Sequence, residues 1–253
     1  AKSGVSVVYV VSSGEHRSHI EEFLEKSSTS FAKMSIDVKL VTVETHGAAL
    51  ASGDALRNLP AEVEEGNLIV LDAGTLVNYP LGQLASKHRL SGATITTLFS
   101  HPPVDEGESS SKKKEPVTGM EMPVICINSE GRILLKPSQD LGEGGKVEIS
   151  KRAIHMSSSF RLHSKLLDTG VYCCSGVLLK YLRGSPAVQS LGIDLLESIM
   201  FGKARMHEEA MAFQYNAVIL GGDASGRQGV TLQPDVFNLR LTGPTQLLHA
   251  NRD

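Results

Sequence analysis

The residues whose types and spacing are best suited to binding a ligand lie near the C-terminus, where an apolar run leads directly into glycines. The run 217–220 is followed by a small polar loop that contains Gly221, Gly222, Ser225, Gly226 and Arg227. Glycines let the main chain approach a ligand closely, and successive backbone N–H groups can cradle a phosphate. The spacing matches neither the Gly-Lys-Ser/Thr phosphate loop nor the Gly-x-Gly-x-x-Gly dinucleotide motif. An ordinary glycine-rich turn between a strand and a helix explains the same pattern, so both interpretations stay open.

Other candidate groups are one acid, two histidines and two adjacent cysteines. Asp168 begins a predicted strand, where it serves either as a metal ligand or as an acceptor of structural hydrogen bonds. His16 and His19 are three apart on a predicted helix, but no third ligand lies in reach, so the pattern favours a surface helix over a metal site. Cys173 and Cys174 have no evident charge nearby to lower a thiol pKa, which favours packing in a sheet.

The order of strands and helices predicts how these groups are positioned. Strand patterns occupy 4–11, 36–43, 67–71, 93–99 and 167–174, and helical patterns occupy 16–26, 50–59 and 81–89. This alternation predicts an α/β fold with a doubly wound, mostly parallel sheet and the glycine loop at the carboxyl ends of its strands. The continuous run 67–71 is typical of a strand covered on both faces, so we expect it beside or near strand 217–220. We also expect a hairpin between 124–128 and 132–136.

Composition restricts the class of protein. The chain has 253 residues, of which 41% are hydrophobic and 21% charged, as in globular proteins. A net charge of −3 argues against direct nucleic-acid binding, and no apolar run reaches membrane-spanning length. Three cysteines and no evident signal peptide predict a reducing, cytoplasmic location. Segment 106–115 has no apolar face, so we expect a mobile loop there.

Four stretches carry a family resemblance when Met211 is placed first in the order: 221–227, 246–251, 52–57 and 149–182. In that order they resemble the nucleotidyltransferase-like domain of the gamma subunits of translation initiation factor 2B, within the sugar-nucleotide pyrophosphorylase superfamily. The most specific match is 149–182, where Arg161-Leu162-His163, Leu167-Asp168 and Val171-Tyr172-Cys173 fall in step with that family.

The resemblance covers nearly the whole chain and implies one nucleotide-diphospho-sugar transferase (Rossmann-like) domain, 1–253. Residues 1–203 correspond to the body of that domain, and 211–253 correspond to the family's N-terminal glycine-loop segment. The family's C-terminal left-handed β-helix is absent. The two ends resemble the flanks of one lost segment, so we expect Ala1 and Asp253 to lie close in space.

Active members of this superfamily hold Mg²⁺ between two aspartates and place a lysine beside the phosphates. Thr245 stands at the position of the lysine, Gly74 at the first aspartate, and Asp168 at the second. Asp72 precedes Gly74 by two residues, about 6.6 Å back along the same face of a continuing strand. One remaining acid makes a poor Mg²⁺ site. The resemblance therefore implies no catalytic residue, no metal and no cofactor, with a vestigial nucleotide-binding set of Gly221, Gly222, Ser225, Gly226, Arg227 and Asp168.

The resulting expectation is a non-catalytic subunit of the guanine-nucleotide exchange factor for translation initiation factor 2. The resemblance implies pairing with an epsilon-type subunit and other subunits of the complex, docking of factor 2, and no direct contact with nucleic acid or membrane. Two alternatives stay open. One is a divergent sugar-1-phosphate nucleotidyltransferase rebuilt around Asp72 and Asp168, and the other is a pseudoenzyme that binds a sugar nucleotide through the glycine loop.

Overall fold

The computed structural model describes residues 4–45, 49–101, 124–135, 155, 157, 159–164, 166–192, 194–201, 213–220 and 238–240. The glycine loop, Thr245, the segment 106–115, the junction near Met211 and both chain ends lie outside the described residues. The expectations for those parts stay predictions. Within the described part, no helix combines the length and the apolar character needed to cross a membrane.

The described elements alternate between strands and helices along most of the chain. The strands are β1 (Val7–Ser13), β2 (Asp37–Val43), β3 (Asn67–Leu71), β4 (Thr75–Val77), β5 (Ile95–Ser100), β6 (Ile125–Asn128), β7 (Ile133–Leu135), β8 (Phe160–His163), β9 (Leu167–Ser175), β10 (Tyr215–Ile219) and β11 (Asn238–Arg240). The helices are α1 (Arg17–Lys33), α2 (Ser52–Arg57), α3 (Leu81–Ser91), α4 (Gly176–Gly184) and α5 (Asp194–Phe201). Short 3-10 helices cover Gly14–His16 and Ala61–Glu65.

The expected α/β class is confirmed, but the described sheets are not mostly parallel. β1 pairs with β2 in a parallel two-stranded sheet, and the central four-stranded sheet has the order β10-β5-β9-β3. The sheets β11-β4 and β7-β6-β8 are antiparallel. In the central sheet β10, β5 and β3 run in one direction, and β9 runs against them. β9 follows β8 after a short connection at the carboxyl end of β5, and a strand that enters there must run back along the sheet.

The expected position of strand 67–71 is wrong. β5 and β9 separate it from β10, and it forms the other end of the sheet order. Its residues are half-buried or exposed, whereas β10 is buried at four of its five positions. The outer edge of β10 is also occupied, because the Ala217 N–H donates to the Gly131 carbonyl at 2.8 Å. The four apolar residues 68–71 therefore did not distinguish a central strand from a terminal one.

The predicted hairpin is confirmed, and its turn explains why it forms. β6 and β7 pair antiparallel across a turn in which Gly131 has a positive φ of 84°. The Asn128 side-chain oxygen accepts hydrogen bonds from the backbone N–H groups of Glu130 and Arg132 at 3.0 and 2.8 Å. A glycine tolerates this backbone conformation at little cost, and an asparagine side chain satisfies the turn's free donors.

The core consists of two clusters, one on each face of the central sheet. Alternate residues of β5 and β9 point to opposite faces, so Phe99 and Cys174 join the larger cluster while Leu98 and Cys173 join the smaller one. Helix α4 contributes its apolar stripe to the larger cluster, and α3 covers the smaller cluster with the fully buried Leu84. The two helices therefore hold the sheet between them.

The start of α4 lies so close to the chain near Glu64 that only a glycine fits. A Cβ atom on Gly176 would stand 1.9 Å from the Glu64 carbonyl oxygen, and the Gly176 N–H donates to the Gly66 carbonyl at 2.8 Å. Backbone atoms on both sides cannot move apart without breaking this hydrogen bond. The contact therefore fixes where α4 begins relative to the segment 61–66.

We expect Gly176→Ala to lower the free energy of unfolding by about 1–3 kcal/mol or more, because the added methyl overpacks a backbone contact. Gly82→Ala is the matched control, since its Cβ would meet no atom within 4 Å on α3. The control should be neutral or stabilising by about 0.5–1 kcal/mol, as alanine favours a helix. Urea unfolding of both variants measures the difference. Equal stabilities would contradict the close approach.

Candidate functional site

The elements that the sequence analysis assigned to a site meet at one edge of the central sheet. β10, β5 and β3 all end there, and β9 begins there. The residue before the glycine loop, Leu220, donates its N–H to the Phe99 carbonyl at 2.8 Å. Phe99 is the register partner of both Ile219 and Asp168. Because neighbouring strands are about 4.8 Å apart, the backbone of Asp168 lies about 10 Å from the strand that enters the glycine loop.

Asp168 uses both carboxylate oxygens on donors of its own strand. Oδ1 accepts the Gly170 N–H at 3.0 Å, and Oδ2 accepts the Tyr172 hydroxyl at 2.9 Å. Tyr172 is four residues further along the strand, so its ring lies on the same face as the carboxylate, and it is buried. The structure therefore supports the structural interpretation of Asp168 that the sequence left open.

A bulge in β9 holds this acid in place. Between two regular rungs, Leu98 of β5 faces three residues of β9, from Thr169 to Val171. The Thr169 hydroxyl donates to the Leu98 carbonyl at 2.6 Å and accepts the Val171 N–H at 3.3 Å, which replaces the interrupted ladder. Gly170 has a positive φ of 73°, a conformation that favours glycine. The sequence analysis missed Thr169 and Tyr172; the signal that could have found them is Asp-Thr-Gly inside an otherwise regular strand.

Asp168 also acts across the sheet on the strand that leads to the glycine loop. Tyr215 of β10 is fully buried, and its hydroxyl donates to the Leu191 carbonyl at 3.2 Å. Burial first, and then the negative charge of Asp168, raise the pKa of Tyr215 well above its usual range. The ring of Tyr215 therefore stays neutral beside the acid.

Asp72 and Gly74 do not lie on one continuing strand. β3 ends at Leu71, and the Thr75 N–H donates to the Asp72 carbonyl at 2.9 Å to close a turn. The expected offset of two strand positions is therefore wrong, because the chain reverses at Ala73 and Gly74. Asp72 continues the ladder of β3 with β9 by one residue, since its N–H donates to the Gly170 carbonyl at 2.9 Å, and the turn begins after it. Asp72 is exposed, and its backbone is bonded two residues from Asp168.

The helix start 52–57 is confirmed as α2, but its residues pack against protein. The Gly53 N–H donates to the Gln189 carbonyl at 2.6 Å, and a Cβ on Gly53 would stand 2.5 Å from the Val188 carbonyl oxygen. The Arg57 guanidinium donates to the carbonyls of Leu182 at 2.8 Å and Ser185 at 2.9 Å. This arginine joins α2 to the end of α4 and the loop that follows it. The motif therefore stabilises the fold where it is described.

The cysteines and the paired histidines behave as the sequence analysis favoured. All three cysteines are free and buried. Burial raises the pKa of Cys126 and of Cys173 to about 11 and that of Cys174 well above its usual range, so none is an activated thiol. His16 and His19 are exposed at the start of α1. Across the described ranges, no group of three or more His, Cys, Asp and Glu residues could hold a metal ion.

Five of the six predicted nucleotide-binding residues lie outside the described residues: Gly221, Gly222, Ser225, Gly226 and Arg227. Their role stays a prediction. The described part contributes the geometry around them, because β10 delivers the chain to the sheet edge that also carries Asp168 and Asp72. In open α/β sheets, ligands bind at this edge.

Comparison with known proteins gives a likeness of fold. No family model and no curated protein matches the chain. Among solved structures, the chain is similar to HddC from Yersinia pseudotuberculosis, with a TM-score of 0.54 and 12% sequence identity over 98% of this chain and 78% of that chain. At this level of identity the likeness concerns the fold, and function must be argued from the site.

The hydrogen bond between Tyr172 and Asp168 can be tested by a double-mutant cycle. Tyr172→Phe should lower the free energy of unfolding by about 1.5–3 kcal/mol, the range for a hydrogen bond to a charged group. In an Asp168→Asn background the same substitution should cost clearly less, since the charge is already gone. Tyr9→Phe, which removes the exposed contact to Glu62 at 2.7 Å, is the control and should have a much smaller effect. Additive effects of the two central substitutions would show that the pair does not interact.

Proposed function

We propose that this chain is a nucleotidyltransferase-like domain without turnover, acting as a non-catalytic subunit of the guanine-nucleotide exchange factor for translation initiation factor 2. The proposal has two parts: the absence of turnover, argued from the geometry around Asp168, and the identity of the complex, argued from sequence motifs. Each part has its own test.

The observation that carries the first part is the hydrogen bonding of Asp168. Nucleotidyl transfer needs carboxylates that offer lone pairs to Mg²⁺ in a near-octahedral arrangement. Here one oxygen of Asp168 already accepts a backbone N–H and the other accepts the Tyr172 hydroxyl. A metal ion would have to compete with these charge-assisted hydrogen bonds, each of which is worth about 1.5–3 kcal/mol. In addition, Thr245 and Gly74 stand at the positions where active members of the resembled superfamily have the lysine and the first aspartate.

The fold is consistent with this origin. The likeness to HddC points towards a sugar-nucleotidyltransferase-like fold, and we infer that the central sheet is a diverged Rossmann-like sheet. The glycine loop would then follow β10 at the ligand-binding edge, as in other open α/β sheets. Its backbone N–H groups could retain weak affinity for a phosphate even without a metal.

The subunit assignment rests on the motifs in the rotated order, above all Arg161-Leu162-His163, Leu167-Asp168 and Val171-Tyr172-Cys173. It implies a cytoplasmic complex in which this domain pairs with an epsilon-type subunit and helps to dock factor 2. Nucleotide exchange itself would be carried out by another domain, in epsilon. The domain would then contribute surfaces and stability, which a fold without turnover can provide.

The structure also gives one observation in favour of a rival, the divergent sugar-1-phosphate nucleotidyltransferase. The ladder between β3 and β9 extends to Asp72, whose N–H donates to the Gly170 carbonyl. Two acids therefore approach one sheet edge. The rival requires Asp168 to exchange its Tyr172 contact for a metal ion. A pseudoenzyme that binds a sugar nucleotide through the glycine loop is the third candidate.

Turnover is tested by a coupled pyrophosphate assay with Mg²⁺, several nucleoside triphosphates and several sugar-1-phosphates. We expect the unmodified chain to stay at background, because metal and electrostatic stabilisation supply most of the rate in this chemistry. The Thr245→Lys, Gly74→Asp double variant runs beside it to ask whether restored charges recover activity. Robust turnover by the unmodified chain that is abolished by Asp72→Asn would overturn the proposal in favour of the rival.

The identity of the complex is tested by purification of a tagged chain from its source cell. We expect an epsilon-type exchange-factor subunit and translation initiation factor 2 in the eluate. The Leu162→Asp variant on β8 tests whether this exposed apolar side chain contributes to the recovery of partners. Leu162 is 50% exposed, so the substitution should not unfold the domain. Recovery of the tagged chain alone, in folded and monomeric form, would contradict the subunit assignment while leaving the turnover result intact.

A further inference from the structure

Helix α3 buries a histidine against the central sheet. His88 is 1% exposed, and its Nδ1 lies 2.8 Å from the Thr96 hydroxyl in β5. Thr96 is itself 1% exposed. The contact lies on the face of the sheet that holds the smaller core cluster, which includes Leu84 of α3 and Cys173 of β9. The imidazole is thus part of the interface that fixes α3 to the sheet.

The described strands that pack against α3 bring no acid to this ring, and the charges near it are cations of α3, of which Arg89 also acts on Cys173. α3 packs against β3, β5 and β9, and β3 and β5 carry no ionisable side chain. From β9, Cys173 faces α3, while Asp168 and Tyr172 lie on the opposite face. Tyr79, just before α3, also packs on the cluster, and burial raises the pKa of its phenol. On α3 itself, Lys87 and Arg89 are exposed cations.

A protonated His88 would therefore bury a positive charge that no neighbouring acid balances. A neutral imidazole has one nitrogen that can accept a hydrogen bond, and the Thr96 hydroxyl can donate to it. An imidazolium has two N–H donors and no acceptor, so this hydrogen bond would have to reverse in a site that burial has already desolvated.

We propose that His88 is an acid-sensitive lock that holds α3 on the sheet while the ring is neutral and releases α3 when the ring is protonated. Release of α3 uncovers the smaller core cluster, and with it the thiol of Cys173. The lock works without any ligand and adds a conformational response to the chain beyond the proposed function. It acts on the opposite face of the sheet from Asp168.

The release of α3 depends on pH because the packed and the released states bind a proton at His88 with different pKa values. Burial lowers the pKa of His88 below its ordinary 6.5. Above pH 6.5 the ring is neutral in both states and adds no pH dependence. As the pH falls below 6.5, the released state binds a proton that the packed state does not, so release gains up to tenfold per pH unit until the pKa of the packed state is reached. Burial, and then Arg161 and His101, lower the pKa of His163 in the same direction, so the effect must be isolated by substitution.

The experiment measures labelling of Cys173 by 4,4′-dithiodipyridine between pH 5 and 7.5, relative to a free thiol, with the site located by tandem mass spectrometry. We expect the relative rate in the unmodified chain to rise by up to about tenfold per unit below pH 6.5. His88→Asn keeps a polar atom near the Nδ1 position and cannot titrate, so its relative rate should not change with pH. His19→Asn, at an exposed position of α1, should behave like the unmodified chain.

Three results would overturn the proposal. One is the same pH profile with and without His88, and another is no rise in the unmodified chain. The third is parallel labelling of Cys126 and Cys174, which belong to the larger cluster, because that would indicate global unfolding. If His88→Asn does not fold, an NMR titration of His88 in the unmodified chain decides the question. An apparent pKa of 6.5 or above overturns the lock, and a lower value supports it.

Discussion

The central sheet depends on one strand, β9, that pairs with a neighbour on each side. β9 pairs with β3 in unbroken register from Val171 to Ser175, but between Asp168 and Tyr172 it carries three residues against one of β5. A strand with two surplus residues would leave backbone groups unpaired in the interior, which costs free energy comparable to lost hydrogen bonds. The Thr169 hydroxyl and the positive φ of Gly170 resolve the mismatch. The pairing of β9 with β5 on both sides of the bulge, and the position of the acid at the start of β9, follow from this solution.

Local patterns predicted the elements well because each depends on neighbouring residues. The hairpin of β6 and β7 follows from a glycine turn between two apolar runs, and α3 follows from helical spacing that ends at Gly92 in the left-handed conformation. The order of strands could not be predicted in the same way. The run 68–71 is as apolar as a central strand, but its place depends on pairing with β9, whose partner residues lie 100 or more positions later in the sequence. Long-range pairing leaves no local signal in a single chain.

At the candidate site, too, some features could be predicted from neighbouring residues and others were missed. Asp168 was identified from its place at the start of a strand, and its alternatives were correctly kept open. The contact with Tyr172 was within reach, because residues four apart on a strand share a face. The turn at Ala73 and Gly74 was missed, since the strand pattern was extended through a glycine that the chain uses to reverse direction. The glycine at this position belongs to a turn that begins directly after Asp72.

The two faces of the central sheet differ in how they hold polar and charged side chains. On the face of the larger cluster, the charge of Asp168 is kept at the sheet edge by Tyr172 and Gly170. On the α3 face, the buried His88 ring is hydrogen-bonded to the Thr96 hydroxyl. Catalytic folds keep charges unsatisfied until a substrate or metal arrives, which costs stability. A chain that instead satisfies its acid internally gains cohesion at the sheet edge, so that this edge becomes part of what holds the sheet together.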